Sequence, residues 1–262
     1  MARLSRLLSP IAIVALAASV LAARQAASTE GQKHWGYSAE GGAIPPSAWG
    51  TVPGAALCGT GHQQSPIDLS SKAPVGTSAG LTFDYRASSL AIVNNGHTVQ
   101  MNTDPGSTIS VGGRTYKLAQ FHLHAPSEHT IDGQHLPLEI HFVHVNDANQ
   151  PAVVVGVMVR SGSANSTLDP VMARLPGEEG KTTTFSGPIA LAQVLPSSGG
   201  FWHYAGSLTT PPCTEGMQWY VMDSPIDMSR QEISAFTSLG HMAHTDRPIQ
   251  ALGDRKVERL AR

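Results

Sequence analysis

The chain of 262 residues carries 17 Lys+Arg against 19 Asp+Glu, a formal charge of -2, and only 14% of its residues are charged. Without a basic stretch it does not read as a nucleic-acid binder, and so low a charge excludes a disordered chain, which stays unfolded through high charge and low hydrophobicity. The 41% of apolar residues, with 26 Gly and 18 Pro, point instead to short strands separated by many turns.

At the N-terminus, Arg3 and Arg6 precede a run from Leu7 to Ala23 made almost wholly of Leu, Ile, Val and Ala. This predicts a secretory signal peptide over 1–23, cut near Ala22 or Ala23, because the apolar core from Ile11 to Leu21 is short of the roughly 20 residues that a membrane span needs. An uncleaved N-terminal anchor is the alternative. Residues 24–33 read as a short tail, and 34–262 as one domain, since no repeat, linker or charge block divides them. The expected location is periplasmic or secreted, with no stable membrane insertion after cleavage. In such an oxidising compartment the only two cysteines, Cys58 and Cys213, most simply form one disulfide, two buried free thiols being the alternative. Closing a loop of 155 residues would contribute about 5 kcal/mol by the chain-entropy argument.

Strand-like runs follow at Leu81 to Tyr85, Leu90 to Val93, Val99 to Asn102, Ser107 to Val111, Arg114 to Leu123, Leu138 to Val145, Ala152 to Val159 and Trp219 to Met222. Most are bounded by Gly, Pro, Asn or Asp, the punctuation of antiparallel strands. Helical patterns are fewer: Leu168 to Leu175, and Ser229 to Leu239, which opens with Ser229 and Glu232 at capping-box spacing. Between the strands, Gly177 to Thr182 reads GEEGKT and imitates the end of a P-loop, but Leu175 stands where the first glycine belongs. It is read as a solvated turn.

The histidines concentrate the chemistry. Seven of the twelve (His97, His122, His124, His129, His135, His141 and His144) fall within residues 97–144. On a strand, Gln120, His122 and His124 share one face, and so do Glu139, His141 and Val143 on the next. The stretch between them holds Pro126, Gly133 and Pro137, enough for a connection that brings the second run beside the first. Three histidines on one face of two paired strands make a zinc site with an open fourth position, and Gln120 and Glu139 are placed to orient the ligand rings. His144 falls on the opposite face, and His129 and His135 lie in the connection, so these three are not expected as ligands. The spacing of His122, His124 and Glu128 also fits the first cupin motif, in which the glutamate itself binds the metal.

Six ordered segments bear on that choice: HWGY from His34, HQQSPIDL from His62, NNGHTV from Asn94, QFHLHAPSEHT from Gln120, EIHFVH from Glu139, and GSLTTPPCTEG from Gly206 followed by Trp219. Together they resemble the alpha-class carbonic anhydrases, specifically the secreted bacterial ones, over about His34 to Gln250. The resemblance implies a mixed, predominantly β catalytic domain on a large twisted, mostly antiparallel sheet with short peripheral helices. It implies reversible hydration of carbon dioxide to bicarbonate and a proton, by attack of zinc-bound hydroxide and histidine proton shuttling. His122, His124 and His141 become the Zn2+ ligands, with Gln120 and Glu139 behind them. His97 matches the proton shuttle, Thr209 the residue that orients the hydroxide, and Glu128 the acceptor of the Thr209 proton, which contradicts its cupin role. Val143, Val154, Leu208 and Trp219 match the apolar wall at which carbon dioxide sits, while Thr210 and Tyr37 match the water path. Met217 replaces a small aliphatic residue of that wall, Thr245 stands in place of Asn, and Cys58 and Cys213 match the family disulfide. The implied partner is a small molecule, carbon dioxide or bicarbonate, and a homodimer is compatible with the sequence. A cupin-type oxygenase or isomerase, and a non-catalytic zinc-binding secreted protein, are the competing readings.

Overall fold

Short alternating runs bounded by turn residues become strands because each buries one face and pairs its backbone with neighbours. The computed structural model describes residues 34–77 and 80–262, and the expected signal peptide and tail lie outside the described residues. Trp35–Arg262 forms one compact unit. Its strands are β1 (Asp68–Leu69), β2 (Val75–Gly76), β3 (Thr82–Asp84), β4 (Ala87–Asn94), β5 (Val99–Thr103), β6 (Thr108–Val111), β7 (Arg114–His124) and β8 (Thr130–Ile131). They continue with β9 (Leu138–Val145), β10 (Pro151–Ser161), β11 (Thr182–Ala190), β12 (Phe201–Ser207), β13 (Glu215–Met222), β14 (Ile226–Met228) and β15 (Glu258–Leu260). The α-helices are short: α1 (Leu57–Thr60), α2 (Asp169–Met172) and α3 (Arg230–Thr237).

Thirteen strands form one sheet whose main path runs β11-β4-β5-β7-β9-β10-β13-β12-β15-β2, and β1 pairs with β8 separately. The expected antiparallel pairing holds from β11 to β10, but β10 runs parallel to β13 and to β14, so the sheet is mixed. A parallel neighbour requires a long crossover, here the excursion through α2, β11 and β12.

The sheet is covered on both faces, which is why β9 is buried at seven consecutive positions. On one face Phe121, Leu123, Ile140, Phe142, Val153 and Val155 belong to the larger core. On the other, Val143, Val154, Trp202, Tyr204, Met217 and Trp219 form a second cluster. The alternation along β7 and β9 therefore sends Phe121, Leu123, Ile140 and Phe142 one way and the intervening polar residues the other.

α3 starts on Ser229, whose hydroxyl accepts the Glu232 N–H while the Glu232 side chain accepts the Ser229 N–H, the capping box expected from the spacing. The Leu168 to Leu175 pattern yields only the single turn of α2. β11, β12 and the short β1, β2, β8, β14 and β15 are absent from the expected set. β11 is rich in Thr, Ser, Gly and Pro, and it is an edge strand whose register breaks between Phe185 and Ile189 around Pro188, a position where a missing N–H is tolerated. Cys58 and Cys213 are joined, tying α1 to the loop that follows β12.

His144 faces the larger core, fully buried: its Nδ1–H donates to Val153 O at 3.3 Å and its Nε2 accepts from Tyr85 Oη at 2.7 Å. Burial pushes its pKa down to about 3. In the unfolded chain it titrates near 6.5, so its contribution to stability is complete above that pH and is lost as pH falls toward 3. Each pH unit inside this window is expected to remove up to about 1.4 kcal/mol through this residue. Urea unfolding of the wild type and His144→Phe at pH 7 and 5 checks this, with the variant showing the shallower pH dependence.

Candidate functional site

Register assembles the site. β7 and β9 pair so that His122 lies opposite His141, His124 opposite Glu139, and Gln120 opposite Val143, an irregularity at Leu118/Gln120 having set this phase. The three histidines therefore project from one face, with ring centroids 4.6–5.3 Å apart. One nitrogen from each lies within 4.8 Å of the other two.

Each of the remaining nitrogens faces an oxygen acceptor. His122 Nδ1 donates to Gln120 Oε1 at 2.8 Å, and His124 Nδ1 to the Thr245 carbonyl at 2.5 Å. His141 Nε2 lies 3.0 Å from Glu139 Oε1, within ion-pair distance though without a well-formed hydrogen bond. By elimination, Nε2 of His122, Nε2 of His124 and Nδ1 of His141 are left to converge. His124 Nε2 is buried with no hydrogen-bond partner, a state that costs free energy unless something else occupies that nitrogen. Burial holds His122 well below its ordinary pKa, His124 at about 3, and His141 below its ordinary value. Neutral imidazoles are what a metal requires, and three of them with outer hydrogen bonds fit a tetrahedral zinc centre with one open position.

The outer partners extend further than Gln120 and Glu139. Glu139 also accepts the His129 backbone N–H and Nδ1–H, both at 2.8 Å, and His129 Nε2 lies 2.6 Å from Tyr204 Oη, whose own proton goes to Ser65 Oγ at 2.9 Å. Burial opposes charge on Glu139, yet His129 and His141 on either side outweigh it and hold the carboxylate well below its ordinary range. His129 thus belongs to the support of the site, although its place in the connection gave no reason to include it. Its total burial is the feature that composition hides. Thr245 is the other addition: its carbonyl holds His124, and its hydroxyl accepts the Ala125 N–H at 3.0 Å. Because the ring is held by a backbone atom, the exchange of Asn for Thr leaves that contact in place.

Glu128 Oε1 accepts the Arg247 N–H at 2.8 Å, while Oε2, without a well-formed hydrogen bond, faces His124 and His141 at 3.5 and 3.8 Å. Burial raises the Glu128 pKa well above the ordinary carboxylate value; the Thr209 hydroxyl and the Arg247 N–H pull in the opposite direction. A cation among the three imidazoles acts in that same downward sense.

A cavity of about 240 Å³ opens over the histidines. Val143, Val154, Leu208 and Trp219 line it, with Thr209, Thr210, Tyr37 and His97. His97 stacks on Trp35, the ring centroids 3.6 Å apart and the planes 6° from parallel. The Tyr37 hydroxyl is buried without a hydrogen-bond partner, and burial raises its pKa. Met217 does not line the cavity: it is buried in the second core cluster with Trp219, opposite Gly206 in the β12–β13 pair.

Residues 45–261 match the family model described as eukaryotic-type carbonic anhydrase. A carbonic anhydrase of Pectobacterium carotovorum is 40% identical over 232 residues, covering 88% of this chain and 93% of its own. One of Neisseria gonorrhoeae is 36% identical over 260 residues, covering 98% and 99%. Among solved structures, the alpha-carbonic anhydrase of Thermovibrio ammonificans in complex with sulfanilamide superimposes with a TM-score of 0.81 at 38% identity, over 87% of this chain and 100% of that one. A cupin assignment is thereby overturned, and the chain belongs to the carbonic anhydrase family, in its alpha class.

Proposed function

We propose that this chain hydrates carbon dioxide reversibly with zinc as its resident ion, bound by His122, His124 and His141. The observation that carries the reading is the convergence of three neutral imidazole nitrogens, one of them buried and unpartnered, beneath a cavity with an apolar wall. Zinc so held supplies a hydroxide nucleophile near neutral pH, by lowering a water pKa to about 7, a value taken from carbonic anhydrases themselves.

The protein's own groups aim and supply that chemistry. Gln120, Glu139 and the Thr245 carbonyl fix the ring orientations. Thr209 accepts a hydrogen bond from the nucleophile only if its own proton goes elsewhere, and Glu128, as a carboxylate, takes it. Carbon dioxide has no charge and little surface, so Val143, Val154, Leu208 and Trp219 hold it by excluding water rather than by polar contacts. Thr210 and Tyr37 border the path along which water carries the released proton to His97. An imidazole can both take up and release a proton, so His97 accepts it and passes it to bulk solvent. We also propose export through a signal peptide over 1–23, which the Cys58–Cys213 disulfide supports.

Stopped-flow hydration of carbon dioxide by the zinc-loaded protein tests the reading. Thr209→Ala is expected to lower kcat/KM on the order of 100-fold with zinc content unchanged, because a misaimed nucleophile loses orientation rather than identity. Thr209→Ser, which keeps the hydroxyl, is expected to recover most of it. A zinc-loaded wild type no faster than buffer would refute the proposal.

A further inference from the structure

His97 sits in the connection between β4, which ends at Asn94, and β5, which starts at Val99. The N–H groups of that turn are taken up by two asparagines. Asn94 Oδ1 accepts the Gly96 N–H at 3.0 Å, and Asn95 Oδ1 accepts those of His97 and Thr98 at 3.0 and 2.9 Å. Gly96 adopts φ +83°, and a Cβ there would also meet the Glu179 side chain at 2.6 Å, so the GEEGKT turn closes over this position.

The Gly96 carbonyl is held from elsewhere, by His241 Nε2. Since a carbonyl only accepts, Nε2 carries the proton. The peptide group that joins Gly96 to His97 is therefore gripped on both edges, its N–H by Asn95 and its C=O by His241. A peptide is planar, so holding both edges fixes the direction in which the His97 backbone leaves it, and with it the placement of the ring on Trp35 at the cavity mouth. His241 itself does not line the cavity. It is delivered by the turn that ends the α3 region, where the Met242 N–H bonds Leu239 O at 2.9 Å.

We propose that His241 is a positioning residue for proton transfer, holding the Gly96–His97 peptide so that the His97 imidazole stays oriented to exchange protons with both the cavity and bulk water. The proposal rests on the reading of His97 as the proton shuttle.

The test uses the zinc-loaded enzyme in weak buffer and again with added imidazole, which carries protons in place of a side chain. His97→Ala, the reference, is expected to lose about tenfold in kcat in weak buffer, to recover with imidazole, and to keep its kcat/KM. His241→Ala is expected to show the same signature at about threefold or more, since it misplaces the shuttle without removing it. His241→Gln keeps an N–H donor but cannot titrate, so its recovery to wild-type kcat separates holding the turn from carrying the proton. The double variant is expected to be no slower than His97→Ala alone, as for two residues acting through one group. Wild-type weak-buffer kcat in His241→Ala, a His241→Gln as slow as the alanine variant, or equal loss in kcat and kcat/KM that imidazole does not repair would each overturn the proposal while leaving His97 as the shuttle. A His97→Ala enzyme with no buffer-dependent loss would overturn both.

Discussion

His141→Ala is expected to purify with little zinc and to lose at least about a thousandfold in carbon dioxide hydration, because without the ion no group here makes a strong nucleophile at neutral pH. The substitution removes one of three converging nitrogens and leaves the other two, His122 and His124, held by Gln120 and by the Thr245 carbonyl. Glu139 keeps His129 as a partner, so the loss is expected at the metal rather than as general collapse. Metal analysis alongside stopped-flow rates checks this, and His144→Phe supplies the contrast. His144 is three residues along the same strand but faces the opposite core, so its variant is expected to retain zinc and activity despite lower stability. Full zinc occupancy in His141→Ala would contradict the ligand assignment.

Arg247→Met is expected to destabilise the fold by about 3–5 kcal/mol, the range for removing one partner from a buried charged network. The guanidinium is almost completely buried and donates to Gln64 Oε1 at 2.9 Å, Ser65 O at 2.8 Å and Cys58 O at 3.1 Å, with Trp49 beneath it at 5.7 Å. Methionine keeps much of the apolar stem but leaves three acceptors without a donor. Arg247→Lys is expected to recover only part of the loss, because an ammonium lacks the planar fork that reaches all three. Urea unfolding measures both. The bond from Arg247 to Glu128 comes from the backbone N–H, so kcat/KM is expected to fall far less than stability does.

How far sequence reaches depends on which atoms do the work. The boundaries of β9 and the shared face of His122, His124 and His141 are legible because a strand repeats every two residues and both runs alternate cleanly. The α3 cap is legible because its two side chains satisfy each other locally. The Thr245 carbonyl behind His124 has no signature, since every residue has a carbonyl and only the fold decides which one arrives there. His129 is passed over because position in a connection suggests exposure, whereas cis Ala125–Pro126 and the β1–β8 pair lie within or against that segment and His129 itself is buried. β11 is missed because an edge strand needs neither alternation nor apolar faces. Met217 is assigned to the cavity wall by the family resemblance, but its side chain is buried in the second core cluster instead.

The bonds behind the histidines span long stretches of chain: His124 to Thr245 across 121 residues, Glu128 to Arg247 across 119, and Cys58 to Cys213 across 155. A ribosome has therefore made all three ligands well before it makes the segment that orients the second of them. A nascent or translocating chain lacks the completed cage, and closing such distant contacts is slow compared with forming a hairpin. On the proposed zinc binding, completion of the cage around the ion would be one of the last events in maturation. On the proposed export and zinc binding, the ion would be drawn from the compartment beyond the membrane, and its supply there would set how much of the finished protein is active.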